Sequence, residues 1–335
     1  MHVNKEINHN PPLVSILVPI YNVELYIERC ARSLFEQTYY NLEFIFCDDC
    51  SPDNSIQILE EVMNDYPLRS GQIRIIHHER NRGSAAARNT LIDNSKGDFL
   101  FWVDSDDWVE TNAVEVLVKK QREIDADIVT GRAYAHKSDR TIRCHDGWDL
   151  DKDTLMEDII RCKSGATLWR RLIRKSLFFD YGIAFHEGIN GREDYSVIIL
   201  LIYYAKEVAG IDAIVYHYNL TNTHSISFGY KDLNFQCQYL KSCEIIATFF
   251  IGKNERIYRL CMEMMVKRAH DFMMTQYRYR YQEGYQFMAD FITGFDRKYW
   301  AMISWKNGII RIIERNYYLM CMTYPIRQLR SKIFS

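Results

Sequence analysis

A chain of 335 residues, 47% hydrophobic and 26% charged, is long enough for one large core or for a main domain with an appendage. Its formal net charge of −2 gives no global reason to expect nucleic acid as a partner, and its composition is not that of a disordered chain. Residues 1–12 lack the apolar core of a secretory signal, no apolar run approaches the roughly 20 residues that span a bilayer, and nine irregularly spaced cysteines suit reduced thiols better than a disulfide framework. A cytoplasmic protein is expected, with peripheral attachment to the inner face of the cell membrane left open.

VSILVPI (14–20) is a β-branched run that reads as a buried parallel strand, and helical spacing follows from Val23 to Thr38. LEFIFC (42–47) predicts a second strand, closed by DDCSPDNS, where Ser51 or Asp53 can cap a helix carrying Ile56, Leu59 and Val62. QIRIIHH (72–78) predicts a third strand and GSAAARNTLIDNS a helix. DFLFWV (98–103) predicts a fourth strand, NAVEVLVKKQREI a helix, and ADIVTGRAYA (126–135) a further strand. This alternation predicts an α/β fold whose parallel sheet is wound right-handedly, with ligands outside the carboxyl ends of the strands. Asp48–Asp49 and Asp104–Asp107 both fall at such ends.

Residues 136–164 read as a polar insertion or link. The stretch 167–205 predicts a helix, a loop around Phe185–Asp194 and a helix from Tyr195, and 210–220 another strand. Beyond Asp232 the pattern is helical. A boundary near 230 therefore divides a 1–230 α/β domain from a 231–335 helical region.

Asp104, Asp106 and Asp107 crowd into four positions, and three readings are open. They form a helix N-terminus facing the macrodipole, or they hold a hard divalent cation, which favours carboxylate oxygens, or they are an aspartate pair with a raised pKa.

The blocks LVPIYN and DDCSPDNS, then NRGSAAARN leading into FLFWVDSDDW, then TLWRRLIRKSLFFDYGIAFHEGINGREDY, closely resemble family 2 glycosyltransferases in their order over residues 13–205. The resemblance implies a GT-A fold, a Rossmann-like, mostly parallel sheet flanked by helices, here with a helical C-terminal extension. It implies inverting transfer from a nucleotide diphosphate sugar, a UDP-sugar, to a hydroxyl of a saccharide or lipid-linked acceptor in surface polysaccharide or glycoconjugate synthesis.

By the same resemblance Pro19, Tyr21 and Glu24 border the nucleotide base, and Asp49, with Asp48 beside it, accepts a hydrogen bond from the base edge. Asn81, Gly83 and Arg88 flank the nucleotide. Asp104, with Ser105, contacts the ribose or sugar, and Asp106 holds Mg2+ or Mn2+ against the diphosphate. Asp194, second of the Glu193–Asp194 pair, is the catalytic base. Glu193, Trp169 and His186 fall on the acceptor side, and His217 is a candidate metal contact. Two positions depart from the family's pattern: Cys50 stands where glycine is usual, and Trp169 where lysine or asparagine is common. The competing functions are a degenerate sugar- or nucleotide-binding module and a metal-dependent nucleotidyltransferase. The latter would be expected to carry a glycine-rich phosphate loop after the first strand, which this sequence lacks.

Cys47–Cys50 is a C-x-x-C, but no second one completes a zinc shell and two acids between the thiols oppose thiolate formation. His77 and His78 are expected to be structural or exposed. Residues 304–335 are basic, aromatic and amphipathic, suited to an anionic bilayer surface or to packing on the catalytic domain or a second subunit in a homodimer.

Overall fold

The computed structural model describes residues 10–144, 150–222, 232–294 and 296, so the basic 304–335 segment lies outside the described residues. The chain divides into two compact units between residues 224 and 225.

In the first unit, β1 (Val14–Ile20), β2 (Leu42–Asp48), β3 (Ile73–His77) and β4 (Phe99–Trp102) pair in parallel in the order β3-β2-β1-β4. Their unbroken apolar runs fit burial on both faces: every residue of β4 and all of β1 except Pro19 are buried. Helices α1 (Ile27–Phe35), α2 (Ser55–Asn64) and α3 (Ser84–Asn94) make the crossovers. Phe35, Phe44 and Phe46 meet edge to face between α1 and β2.

Beyond β4 the sheet becomes mixed. β5 (Trp108–Val109), α4 (Ala113–Ile124), β6 (Ile128–His136), β7 (Thr141–Arg143), α5 (Lys152–Ile160), β8 (Arg171–Arg174), α6 (Ser176–Asp180), α7 (Glu193–Tyr204) and β9 (Val208–Asn219) complete the unit. β8 inserts antiparallel between β4 and β6, β9 runs parallel to β6, and β5 closes the far edge antiparallel to β9. The α/β expectation holds, with an all-parallel half in the first four strands and a mixed half in which only β6 and β9 pair in parallel.

One element is corrected. RLIR, expected within a helix, is the strand β8. Its arginines look like a solvated helical face, but Arg174 Nε donates to Asp127 (2.6 Å) and Arg171 Nη2 to the Gly165 carbonyl (3.1 Å) while Leu172 and Ile173 are buried. The supposed link 136–164 also contains β7 and α5, the latter capped by Asp151, which accepts from the amides of Asp153 and Thr154.

At the amino ends of the strands, Glu43 accepts hydrogen bonds from the Ser15 hydroxyl and the Lys96 and Gly97 amides and pairs with Arg74 (3.0 Å). Burial alone would raise its pKa, but these bonds bring it below the usual value. Glu43→Ala should cost about 2–4 kcal/mol in urea unfolding at pH 7, because the Lys96 amide and the Ser15 hydroxyl lose their acceptor and Arg74 its partner. The native advantage is complete above the unfolded-state pKa near 4.5 and is lost as pH falls through the lower folded value.

The second unit comprises α8 (Leu233–Phe250), α9 (Glu255–Arg278) and α10 (Gln282–Thr293), which line an apolar groove of about 430 Å³ with Met262, Met265, Phe287 and Phe291. Among the described residues no helix is long and apolar enough to cross a membrane.

Candidate active site

The loops after β1, β2 and β3 gather at the carboxyl end of the parallel half. Pro19, partly buried, is the penultimate residue of β1, and Tyr21 just beyond the strand is exposed. Glu24 is fastened to the loop after β2: its amide donates to Asp53 (2.8 Å), and its carboxylate accepts from the Asn54 amide and side chain (both 3.1 Å). Asp48 accepts from the Ser51 amide (2.8 Å) and meets His77 Nδ1 at 3.0 Å.

Asp49, expected at the base edge, is only 3% exposed. Its Oδ1 accepts from the Arg82 amide (2.8 Å) and contacts His78 Nδ1 (2.7 Å), while Oδ2 accepts from the Gly83 amide (2.8 Å). Its visible contacts therefore organise the protein's own loop, in which Asn81 is exposed and Gly83 has a φ of +88°. His78, expected to be structural or exposed, has a buried side chain that bridges Asp49 to Thr90 Oγ1 (2.9 Å). Cys50 adopts a φ of +57°, the left-handed region that favours glycine, the residue usual at this position in the family pattern. Cys47 is buried on β2, and burial together with Asp49 pushes its thiol up to about 12, against any thiolate chemistry.

The acidic loop joins β4 to β5. Asp104 Oδ1 accepts from Arg88 Nη2 (2.8 Å), and Ser105 is buried. Asp106 Oδ2 accepts from Asn222 Nδ2 (2.9 Å), and its carbonyl accepts from Asn219 Nδ2 (3.1 Å). Asp107 is fully buried and accepts from the Tyr216 hydroxyl and the Asn219 amide, both at 2.7 Å. The helix-terminus reading of these acids fails, because Trp108–Val109 pairs with β9 and the next helix begins only at Ala113. Burial and the neighbouring Asp104 charge push Asp106 up to about 6. Burial, with Asp106 and Asp104, carries Asp107 well above the usual carboxylate range. The loop holds more negative charge than the protein neutralises.

Beneath it, α3 delivers Arg88, buried against the rings of Trp102 and Phe185. Arg88 Nε lies 3.5 Å from Glu193 Oε1 and 3.7 Å from Asp194 Oδ1. Burial works against the guanidinium charge, yet Asp194, Asp104 and Glu193 together hold its pKa above the ordinary value. Arg88 Nε and Nη1 and Asp194 Oδ1 are buried without hydrogen bonds, whereas Asp194 Oδ2 accepts from the Leu168 amide (3.3 Å). Burial raises both Glu193 and Asp194, with Arg88 opposing.

The structure thus brings Asp104, Glu193 and Asp194 around one arginine. Other candidates stand apart. His217 has both ring nitrogens engaged, Nδ1 with His136 Nε2 and Nε2 with Glu110 Oε1 (both 2.9 Å), and it lies flat on Trp108. That bonding leaves it no free lone pair directed to a cation. Trp169 is buried and stacks on Tyr216 and Tyr218, so it packs the core. His186 is exposed on the loop before α7. Sequence reasoning missed Tyr216, Asn219 and Asn222, because only the β5–β9 pairing brings them to the acidic loop. Among the described residues no cluster of three or more His, Cys, Asp or Glu forms a ready-made cation cage.

Residues 15–178 match the family model for glycosyl transferase family 2. The chain is 33% identical over 238 residues to the glycosyltransferase EpsJ of Bacillus subtilis (strain 168), a match covering 68% of each protein. Some other curated glycosyltransferases match over less than half of their own length. Among solved structures, S. aureus TarS 1–349 in complex with UDP-GlcNAc aligns with a TM-score of 0.58 at 18% identity, over 84% of this chain and 92% of that one. The mannosyltransferase PcManGT from Pyrobaculum calidifontis, in complex with GDP-Man and Mn2+, aligns with a TM-score of 0.54 at 12% identity, over 94% and 87% of the two chains. Both share the fold. With its strand-end aspartates and its Glu193–Asp194 pair set around Arg88, the chain belongs to glycosyl transferase family 2 and is a glycosyltransferase.

Proposed function

We propose that this enzyme moves a sugar from a UDP-sugar to a hydroxyl of a saccharide or lipid-linked acceptor, with inversion, in polysaccharide or glycoconjugate synthesis. The observation that carries the reading is the set of buried, unbonded polar atoms on Arg88 and Asp194 beside Asp104, since such atoms are costly unless a ligand uses them. Asp104 would face the donor. Asp194 would take the acceptor's proton through Oδ1, and its raised pKa makes it a stronger base than an ordinary carboxylate. Arg88 would hold both acids in place, and Asp49, through the loop it fastens, would shape the base site.

The carboxylate chemistry also fits Mg2+ or Mn2+. Asp106 lies in the acidic loop with its Oδ2 bonded to Asn222, and the excess negative charge that raises its pKa is what a hard cation relieves. Such a cation, when bound, would stabilise charge on the leaving diphosphate. The UDP-GlcNAc and GDP-Man complexes of proteins sharing the fold support a nucleotide sugar donor. A lipid-linked acceptor would bring the enzyme to the cytoplasmic membrane face, for which residues 304–335 have a suitable basic and aromatic composition.

A thermal-shift screen of UDP- and GDP-sugars with Mn2+ or Mg2+ tests this. A UDP-sugar at 100 times its Kd should stabilise by about 2.7 kcal/mol, and UDP release should then depend on acceptor and stop with EDTA. A response to GDP-sugars alone would overturn the UDP assignment, and no response to any nucleotide sugar would overturn the donor reading.

A further inference from the structure

Between the end of α6 at Asp180 and the start of α7 at Glu193, residues 181–192 form no helix or strand, and a stretch of that length frays unless something ties it down. Here it is tied to α3. Asn89 Nδ2 donates to the Phe185 carbonyl and Asn89 Oδ1 accepts from the Phe185 amide, both at 2.9 Å. A primary amide offers a donor and an acceptor side by side, so it pairs with both main-chain groups of one residue as a neighbouring strand would. The Phe185 ring packs on Trp102, which fixes the same point from the other side.

A second tie lies at the start of α3. Asn190 Oδ1 is 3.4 Å from the Ala85 amide and 3.5 Å from the Ser84 hydroxyl. A Cβ on Gly83 would fall 2.4 Å from that oxygen, so glycine is what lets the loop approach. Arg82 and Glu187 also pair at 3.0 Å, but both are well exposed and such a pair adds little.

We infer that Asn89 is a positioning residue for the acceptor-side loop: it makes residues 185–192 move as one body with α3. Arg88, the preceding residue on that helix, bonds Asp104 and faces Asp194. One turn of α3 therefore sets the spacing between the donor-side aspartate and the base that the loop delivers. Loss of the tie leaves the nucleotide site whole and lets the base and the acceptor drift relative to the sugar. Calling Asp194 the base rests on the proposed function; the tie itself does not.

The test compares Asn89→Ala and Asn89→Asp with Asn94→Ala, a control on the same helix whose side chain bonds only the Thr90 carbonyl (2.8 Å). Hydrogen exchange should rise about tenfold or more in residues 183–192 of Asn89→Ala, with β1 and β2 unchanged and Asn94→Ala silent. With the sugar nucleotide chosen by the screen, or UDP-GlcNAc as the first probe, kcat for transfer should fall about 10- to 100-fold while donor KM stays within about twofold. Hydrolysis of the donor by water should persist, so its ratio to transfer rises, which simple unfolding would not produce. Asn89→Asp, which keeps the acceptor for the Phe185 amide but loses the donor, should fall between. Unchanged exchange in 183–192, or a raised donor KM with kcat intact, would overturn the inference. If the wild-type protein turns over no nucleotide sugar, the proposed function fails, and the exchange measurement still decides the positioning role.

Discussion

Asp194→Asn is expected to lower the transfer rate about 10²–10⁴-fold while leaving nucleotide affinity within about twofold. The substitution keeps the size and shape of the side chain and removes its negative charge and its capacity to accept a proton. Affinity should survive because the Asp194 carboxylate bonds the Leu168 amide, which lies outside the loops after β1, β2 and β3. The pH profile supplies a second check. Burial raises the Asp194 pKa, so its protonated, inactive form persists above the ordinary carboxylate range and the wild-type rate should fall at mildly acidic pH. The residual rate of the variant should lack that limb. Transfer at the wild-type rate, measured as acceptor-dependent UDP release, would remove Asp194 from the mechanism.

The second large effect has opposite signs in stability and activity. Asp106→Asn should stabilise the metal-free protein by about 2 kcal/mol, after allowing for the partial exposure of the site, and raise its Tm by several degrees. The folded-state pKa is about 6 against an ordinary 3.8, so the folded protein holds the proton more tightly than the unfolded chain. The charged carboxylate therefore lowers native stability progressively as pH rises from about 4 to about 6, and fully above that. The advantage of the variant should be greatest at pH 7.5 and vanish toward pH 4. The same variant should lose cation-dependent turnover. In the wild type, cation affinity should weaken about tenfold per pH unit below 6 as a proton competes for the carboxylate. A variant less stable than wild type at pH 7.5 would show that the Asn222 bond outweighs the repulsion from Asp104.

The two predictions draw on residues that differ in how openly the sequence displays them. Asp104 and Asp106 stand out because a polar cluster at the end of an apolar run is a local signal, Asp194 stands out only through the family resemblance of the block it closes, and β1 to β4 stand out because continuous apolar runs have few other uses. β8 does not. Its four residues are half arginine, and those arginines fit a central strand because Arg174 reaches the distant Asp125 and Asp127 while Arg171 bonds the Gly165 carbonyl. The two-residue strand β5 is too short for any pattern to reveal, yet it brings Tyr216, Asn219 and Asn222 to the acidic loop. Asn89 sits beside Arg88 in a recognisable block, but its role depends on the main chain of Phe185, 96 positions away. Residues that act through side-chain charge show themselves in the sequence, and those that act through long-range register do not.

The reversal at β8 also bears on how acceptor choice could be altered. Leu172 pairs with Phe101 and Arg174 with Phe99, so the chain enters β8 at the acidic-loop end of the sheet and leaves it at the other. It then returns through α6 and the 181–192 loop to Asp194, where the Leu168 amide meets the Asp194 carboxylate. The excursion from 168 to 194 starts and finishes at the same rim and carries β8 with it, a strand paired on both sides with β4 and β6. On the proposed reading, acceptor preference is portable. The segment could be exchanged between relatives as one piece, provided its seams with β4 and β6 are matched together with those at Asn89 and Gly83.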